Sequence, residues 1–507
     1  MIGSGVRSDT SRRYTPVPVL VTFFLWLTRG NSVTWLQALL SLLLLQIAWG
    51  AWIAWKAKPA AEKHFPIFAC IAGMFWLAYG VPLFWSRAES WRFSGGFVTP
   101  QGIVRAQLLA LLGVASIYAG MHLGAGRRLR RMPTLHLRDS RSSAKLLVAM
   151  MLMGTVVRYF PSAVLVFGAS LKQVLVILVN IVPLIAYAIM LRRSLMRPVP
   201  GYERAMLVLF VATTFLTGLS TGWIGTGATI IMVTGCVVID ARHSVPKAAI
   251  VAVFAYVLFL QPAKEEFRAN TWYSSNPSGG DVSRAANWLR MSRDAWESAL
   301  VNSDTNALRL QIYSSMNRFS LLQPTANVVD LTPAIIPHQG WKMYTYMATT
   351  LIPRVIWRDK PTVNDANRLY QVLYGITSER GLDGVSISVG VLAESYISFG
   401  WFGAAVVMMF IGLVFDCLGA LMLSRSSGVL MKGVGFALLP GFVALESQMS
   451  QYLGGVVQNV CLSILILLPV AQVTRARLPQ RRFARRPVRA VVPSASSPLG
   501  SPTVISK

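Results

Sequence analysis

The side chains able to do chemistry gather in one stretch. Arg354, Arg358 and Lys360 stand within PRVIWRDKP, Glu379 and Asp383 flank Arg380 in a Gly-containing turn, and Glu394 follows in SVGVLAESYISFGWFG. Arg318 lies upstream in NRFSLLQP. A guanidinium presents a planar fork of N–H donors that matches phosphate oxygens, and a lysine adds a point charge. Several such cations at a membrane surface suit a lipid diphosphate. Taken singly, each is better explained by snorkelling or by an ion pair with Asp359 or Asp365. As a cluster they favour ligand binding, because Pro353 and Pro361 restrain the backbone around them and Trp357 suits the membrane–water interface. Glu394 stands about two turns before an apolar run, where a carboxylate could serve as a general base; a salt bridge to a loop arginine accounts for it equally well. Glu379 and Asp383 read as a solvated loop.

What is missing narrows the chemistry. The chain has no Walker A sequence and no Asp-x-Asp pair, and no HExxH, GxSxG or Ser/His/Asp arrangement in it rises above chance. Cys70, Cys236, Cys417 and Cys461 all fall in apolar runs, so neither a disulfide framework nor a Cys/His metal cluster is expected. Cations and a carboxylate remain, with no metal and no cofactor. Two further charges, Arg158 and Glu446, fall near the outer ends of apolar runs, where charge is costly and often functional, although long side chains there also reach the headgroups. Asp416 lies deeper and has no assigned role. Gly225 and Gly227 in GWIGTG resemble a phosphate loop only superficially, and close helix packing is the expected use.

The elements that must position these residues are membrane helices. The chain has 507 residues, 54% hydrophobic and 13% charged, against about 25% charged in soluble domains. Apolar runs near bilayer-spanning length recur at about 15–29, 33–55, 64–85, 104–123, 146–163, 170–191, 205–220, 223–239, 248–262, 401–423, 430–447 and 455–472. The expected fold is therefore an all-α polytopic integral membrane protein with about twelve spans. The net charge of +28 does not indicate nucleic acid. Its basic residues crowd the short loops 124–145 and 192–204, the neighbourhoods of Lys56/Lys58/Lys63 and Arg242/Lys247, and the tail after 473. Twelve spans put all of these on one side with both termini, which the positive-inside rule makes cytoplasmic. The expected organisation is a cytoplasmic N-terminus 1–14, a bundle of about nine helices over 15–262, an extracytoplasmic loop 263–400, about three further spans over 401–472, and a basic tail 473–507.

The long loop carries thirteen Lys/Arg against twelve Asp/Glu, so it reads as a folded region rather than a polybasic one. Residues 285–300 place Trp288, Leu289, Trp296 and Leu300 near one helical face, as in a helix lying on the outer leaflet. Asp304 is expected to cap a second helix running to about Met316. Short helices are expected over Tyr344–Leu351 and 365–374.

The outer motif resembles that of bacterial O-antigen and exopolysaccharide repeat-unit polymerases of the Wzy type. Pro353-Arg354, Lys360-Pro361, Glu394-Ser395-Tyr396 and Phe399-Gly400-Trp401 match the family pattern, and Asn317-Arg318 resembles an upstream segment; Arg358 stands where a proline is more usual. The resemblance implies a GT-C-like, metal-independent glycosyltransferase of the bacterial inner membrane. Its substrates would be undecaprenyl-diphosphate-linked oligosaccharides, and membrane lipid, a chain-length co-polymerase and a flippase would be its partners. Arg354, Arg318, Arg358, Lys360 and Arg158 would then face the diphosphate, Glu394 and Arg354 would be catalytic, and Trp357, Tyr396 and Trp401 would meet glycan or lipid. An O-antigen ligase uses the same donor with another acceptor. A lipid-linked oligosaccharide flippase or polysaccharide exporter is the alternative outside enzymes, although charge concentrated in one outer loop is unlike it.

Overall fold

A computed structural model describes residues 16–474 apart from 30–31, 60–62, 86–91, 94–95, 131, 139–140, 160–176, 245, 273–279, 302–304, 351, 353–356, 358–360, 362–363, 383–387 and 444–445. The fold is built of helices: α1 (Pro16–Leu27), α2 (Trp35–Ala57), α3 (Ile67–Tyr79), α4 (Pro100–His122), α5 (Arg141–Tyr159), α6 (Val182–Met196), α7 (Gly201–Thr221), α8 (Ile224–Arg242), α9 (Lys247–Leu260), α10 (Lys264–Trp272), α11 (Asp281–Val301), α12 (Thr305–Asn317), α13 (Leu322–Leu331), α14 (Thr345–Thr350), α15 (Asp365–Leu373), α16 (Val391–Met422), α17 (Val429–Val443) and α18 (Val456–Leu467). Each expected span coincides with a helix. Among the described residues, seven helices are long and apolar enough to cross a membrane, or eight if α9 and α10, bent by 63°, form one broken span. Four more, near the expected first, fifth, eleventh and twelfth spans, are apolar but only 10–17 residues long.

Local chemistry sets the helix starts. Thr34 accepts the Gln37 N–H at 3.3 Å while Gln37 Oε1 accepts the Thr34 N–H at 3.0 Å, a reciprocal cap that opens α2. Thr99 caps α4, whose first residue is Pro100. The Thr99 N–H and hydroxyl both donate to Asp330 Oδ2, at 3.0 and 2.9 Å, tying α4 to α13. α4 and α16 pack backbone to backbone. A Cβ on Gly120 would strike the Met409 carbonyl, and one on Gly412 the Ile117 carbonyl. These glycines let the two backbones touch, which is how membrane helices associate when burial of apolar surface gives no advantage. Gly227 likewise packs against the Tyr256 ring, as expected, whereas Gly225 faces open space and the close-packing role expected for it is not met.

The basic loops meet at one end of the bundle. Thr134–Leu137 pairs antiparallel with Ala471–Thr474. Asp416, given no role above, accepts the Gly126 N–H at 2.8 Å. Lys432 Nζ and Arg192 Nε both approach Asp240 to 2.8 Å, and Arg193 reaches the buried Glu203 at 3.1 Å. Half-buried His64 accepts the Arg425 N–H on Nδ1 at 3.3 Å. Burial, with Arg130, Lys58, Lys432 and Arg425 nearby, lowers its pKa from the ordinary 6.5. The folded chain therefore binds this proton less readily than the unfolded chain. His64 costs no stability above the unfolded value of 6.5 and subtracts stability as pH falls below it. Thermal unfolding of the solubilised protein should show a midpoint that drops as pH falls through about 6, with a shallower drop in His64→Gln. Parallel profiles would remove His64 as the cause.

The helices of 264–373 gather at the opposite end. The expectation for residues 285–300 is corrected in its detail. The helix starts at Asp281, and Trp288 is wholly buried in a small second core, stacked on Phe267 at 5.0 Å, while Leu289 and Leu300 are exposed. Trp296 instead donates its indole N–H to the Phe259 carbonyl at 3.2 Å. Helices also form at 305–317 and 365–373, as expected, and Asp304 lies outside the described residues.

Candidate functional site

The site is organised by a kink. α16 begins at Val391, ten residues before the apolar run expected to carry it, so Glu394 lies in the first helical turn rather than in a loop. Residues Val391–Ser398 are all buried, because α13, the segment 338–344 and residues 446–449 close over them. At Gly400 the backbone turns to φ 67°, ψ −160°, a left-handed φ that glycine alone adopts readily. The break releases the Ile397 carbonyl from its helical partner. That oxygen accepts the Gln339 N–H at 3.0 Å instead, with His338 Nδ1 3.3 Å away. The kink therefore binds the outer segment 338–344 to the helix.

Glu394 is fully buried. Its Oε2 accepts the Met449 N–H at 2.6 Å, and its Oε1 makes no hydrogen bond among the described residues. The Tyr344 hydroxyl lies 3.0 Å from Ser395 Oγ, and burial together with the nearby Glu394 charge pushes that phenol well above its ordinary pKa. Gln448 is also fully buried. Its Nε2 donates to Asn367 Oδ1 at 3.4 Å, and its Oε1 has no partner among the described residues. Gln371, one turn along α15 on the same face as Asn367, leaves its Oε1 unpaired too. An unpaired buried acceptor costs about 1–3 kcal/mol, so several together mark a region built for something other than stability.

Arg318 follows directly on α12 and makes a two-pronged ion pair with Glu446, at 2.7 and 2.9 Å. Both side chains are a little over 40% exposed, so substrate could reach the pair. Glu446 stands three residues before Met449, and its carbonyl accepts from the Ser388 hydroxyl. A single turn, 446–449, thus joins the arginine to Glu394.

The remaining sequence candidates separate. Arg354, Arg358 and Lys360 lie outside the described residues, as does Asp383. Arg158 falls at the end of α5, and its side chain is likewise outside them. Trp357 is exposed. Glu379 and Arg380 are exposed in a short 3-10 turn, as a solvated loop would be. Asp365 lies 3.7 Å from Arg368. Tyr396 is buried and donates to the Thr332 carbonyl at 3.2 Å, so its ring is not open for stacking. Trp401 is partly exposed and meets Tyr396 edge-on, with ring centres 5.6 Å apart. Sequence reasoning missed two larger exposed rings beside the kink, Trp341 at 73% and Phe402 at 83%. Trp341 packs edge-on to Phe399 at 5.0 Å. A tryptophan three residues after the loop's histidine was the available signal, but nothing local shows that it docks on α16. Among the described residues, no group of three or more His, Cys, Asp or Glu side chains could hold a metal ion.

Residues 65–424, more than half of the chain, match the family model described as Domain of unknown function (DUF8712), and the chain belongs to that family. The match covers α3 to α16, including Arg318 and Glu394, and stops before Glu446 and Met449. No curated protein and no solved structure matches the chain.

Proposed function

We propose that this member of the DUF8712 family polymerises lipid-linked oligosaccharide repeat units on the outer face of a bacterial inner membrane. The observation that carries the reading is the buried Glu394, with one oxygen unpaired, joined by the turn 446–449 to an exposed arginine–carboxylate pair. The family resemblance of the motif around Glu394 supplies the reaction class. In this reading the eight long or broken spans and the four shorter apolar helices make twelve crossings in a GT-C-like bundle, with both termini and the basic end cytoplasmic.

The donor is a growing glycan on undecaprenyl diphosphate, and the acceptor is a single repeat unit on the same carrier. A hydroxyl of the acceptor's distal sugar attacks the donor's anomeric carbon. The bond from that carbon to the phosphate oxygen breaks, and its electron pair leaves with undecaprenyl diphosphate. Negative charge grows on the departing diphosphate, which preorganised cations stabilise; Arg318 and the loop cations Arg354, Arg358 and Lys360 take that part, with Arg158 on the membrane side. Glu394 Oε1 receives the hydroxyl proton once Tyr344 and Met449 move aside. Trp357 and Trp401, with the newly found Trp341, offer faces to sugar or lipid, and Tyr396 braces them.

The test is turnover of purified lipid-linked repeat unit by the purified protein, with and without a chelator. A ladder of chain lengths unaffected by the chelator is expected. A folded protein that yields no product longer than one repeat unit would overturn the reading. Transfer only to an acceptor that is not carrier-linked would make the protein a ligase.

A further inference from the structure

Three elements each bring a buried acceptor oxygen to the underside of the turn 446–449. Glu394 Oε1 comes from the first turn of α16, Gln448 Oε1 from the turn itself and Gln371 Oε1 from α15, and none of the three makes a hydrogen bond among the described residues. Glu394 and Gln448 are fully buried and Gln371 is 1% exposed. Bonds made by neighbouring atoms hold the three residues together. The Met449 N–H holds Glu394 Oε2 at 2.6 Å, and Gln448 is the residue before it. Gln448 Nε2 donates to Asn367 Oδ1 at 3.4 Å, which turns its Oε1 the other way. Gln371 follows Asn367 by one turn of α15.

What this group needs is positive charge. Glu394 forms no ion pair among the described residues, and Arg318, joined to the same turn, is taken by Glu446 at 2.7 and 2.9 Å. A buried carboxylate without a counter-charge is costly, and buried acceptors without donors add to that cost. A donor-rich organic ligand would reach these oxygens only after the cover moved. A small ion meets all three with the cover in place. Donor sets made of oxygen alone suit hard cations. One carboxylate and two neutral amides balance a single positive charge, whereas calcium takes about 6–8 oxygens and magnesium keeps a near-ideal octahedron with several waters. Such a set is a different kind from a cluster of His, Cys, Asp and Glu side chains, which is absent among the described residues.

We propose that Glu394, Gln448 and Gln371 form a site for a monovalent alkali cation, which clasps the turn 446–449 onto α15 and the first turn of α16. The site is independent of the reaction class proposed above. In that reaction Met449 moves aside before Glu394 works, so the ion favours the covered state and leaves as the turn opens.

The experiment is thermal unfolding of the full-length protein in a non-ionic detergent, at constant ionic strength, in the chloride of sodium, of potassium or of N-methylglucamine, a cation too large for the site. The midpoint should rise with one alkali cation and saturate, by roughly 2–3 °C at about a hundredfold excess over its Kd; the salt with the lower half-saturation identifies the ion. Gln448→Leu and Gln371→Leu should each raise the half-saturating concentration roughly tenfold or more. Glu394→Gln, which removes the charge and keeps the shape, should unfold at the same temperature in all three salts. Retention of radioactive sodium by the captured protein reads the same site without unfolding: the wild type should hold it against N-methylglucamine and release it to excess sodium, and Glu394→Gln should not hold it. Equal wild-type midpoints in the three salts would overturn the proposal, and so would an ion response that survives Glu394→Gln, which would place the ion elsewhere. An ion response in a protein that builds no polymer would leave this site standing and remove the polymerase.

Discussion

Glu394→Gln should abolish chain extension while leaving the protein folded. Glutamine keeps the shape of the side chain, and its carbonyl can still accept the Met449 N–H that Glu394 holds at 2.6 Å. What it loses is the ability to take a proton. A positioned general base contributes about 10²–10⁴-fold, so turnover should fall by that much with little change in the unfolding midpoint. Glu394→Ala should do both kinds of damage, because it also leaves the Met449 N–H unpaired in a buried place, at about 1–3 kcal/mol. The readouts are product ladders and thermal unfolding, side by side. Unchanged turnover in Glu394→Gln would remove the base role and leave Glu394 as the anchor of the 446–449 turn.

Arg318 and Glu446 should respond in opposite directions. If the pair were only structural, removing either partner would have the same effect, and a small one. Both groups are more than 40% exposed, and such pairs contribute at most about 1 kcal/mol after solvent screening. If Arg318 meets the donor diphosphate, Arg318→Gln should raise the apparent KM for the lipid-linked donor and lower kcat. Glu446→Gln should instead remove the competing negative charge, free one donor prong of the guanidinium and tighten donor binding. A change of roughly tenfold in each direction corresponds to about 1.4 kcal/mol. Equal losses in the two variants would reduce the pair to a clasp for the 446–449 turn.

How much of this was legible in the sequence follows from the range of the forces involved. Burial in a bilayer acts on each twenty-residue window separately, so apolar runs located the seven long apolar helices among the described residues, and basic loops located the end at which Asp240, Lys432 and Arg192 now meet. The polar helices 305–317 and 365–373 were readable for a similar reason, through local capping and spacing. The stretch 391–399 misled because its own composition is ambiguous. Glu394, Ser395 and Ser398 look like surface, and only the cover provided by Tyr344 and Met449 turns them into the inside of a helix. The same limit hid the partner of Arg318, which lies 128 residues away in the chain, and the burial of Trp288 against Phe267.

The sequence by itself determined that this is a helical bundle of membrane character with one polar region, and that the side chains gathered in that region are mainly cations and a few carboxylates. Tertiary structure decided which of those groups meet. It bent α16 at Gly400 and buried Glu394 beneath the turn that carries Glu446. The reason is physical: hydropathy and charge are properties of a residue and its near neighbours, whereas a pairing or an unmet valence depends on what the rest of the chain brings within 3 Å.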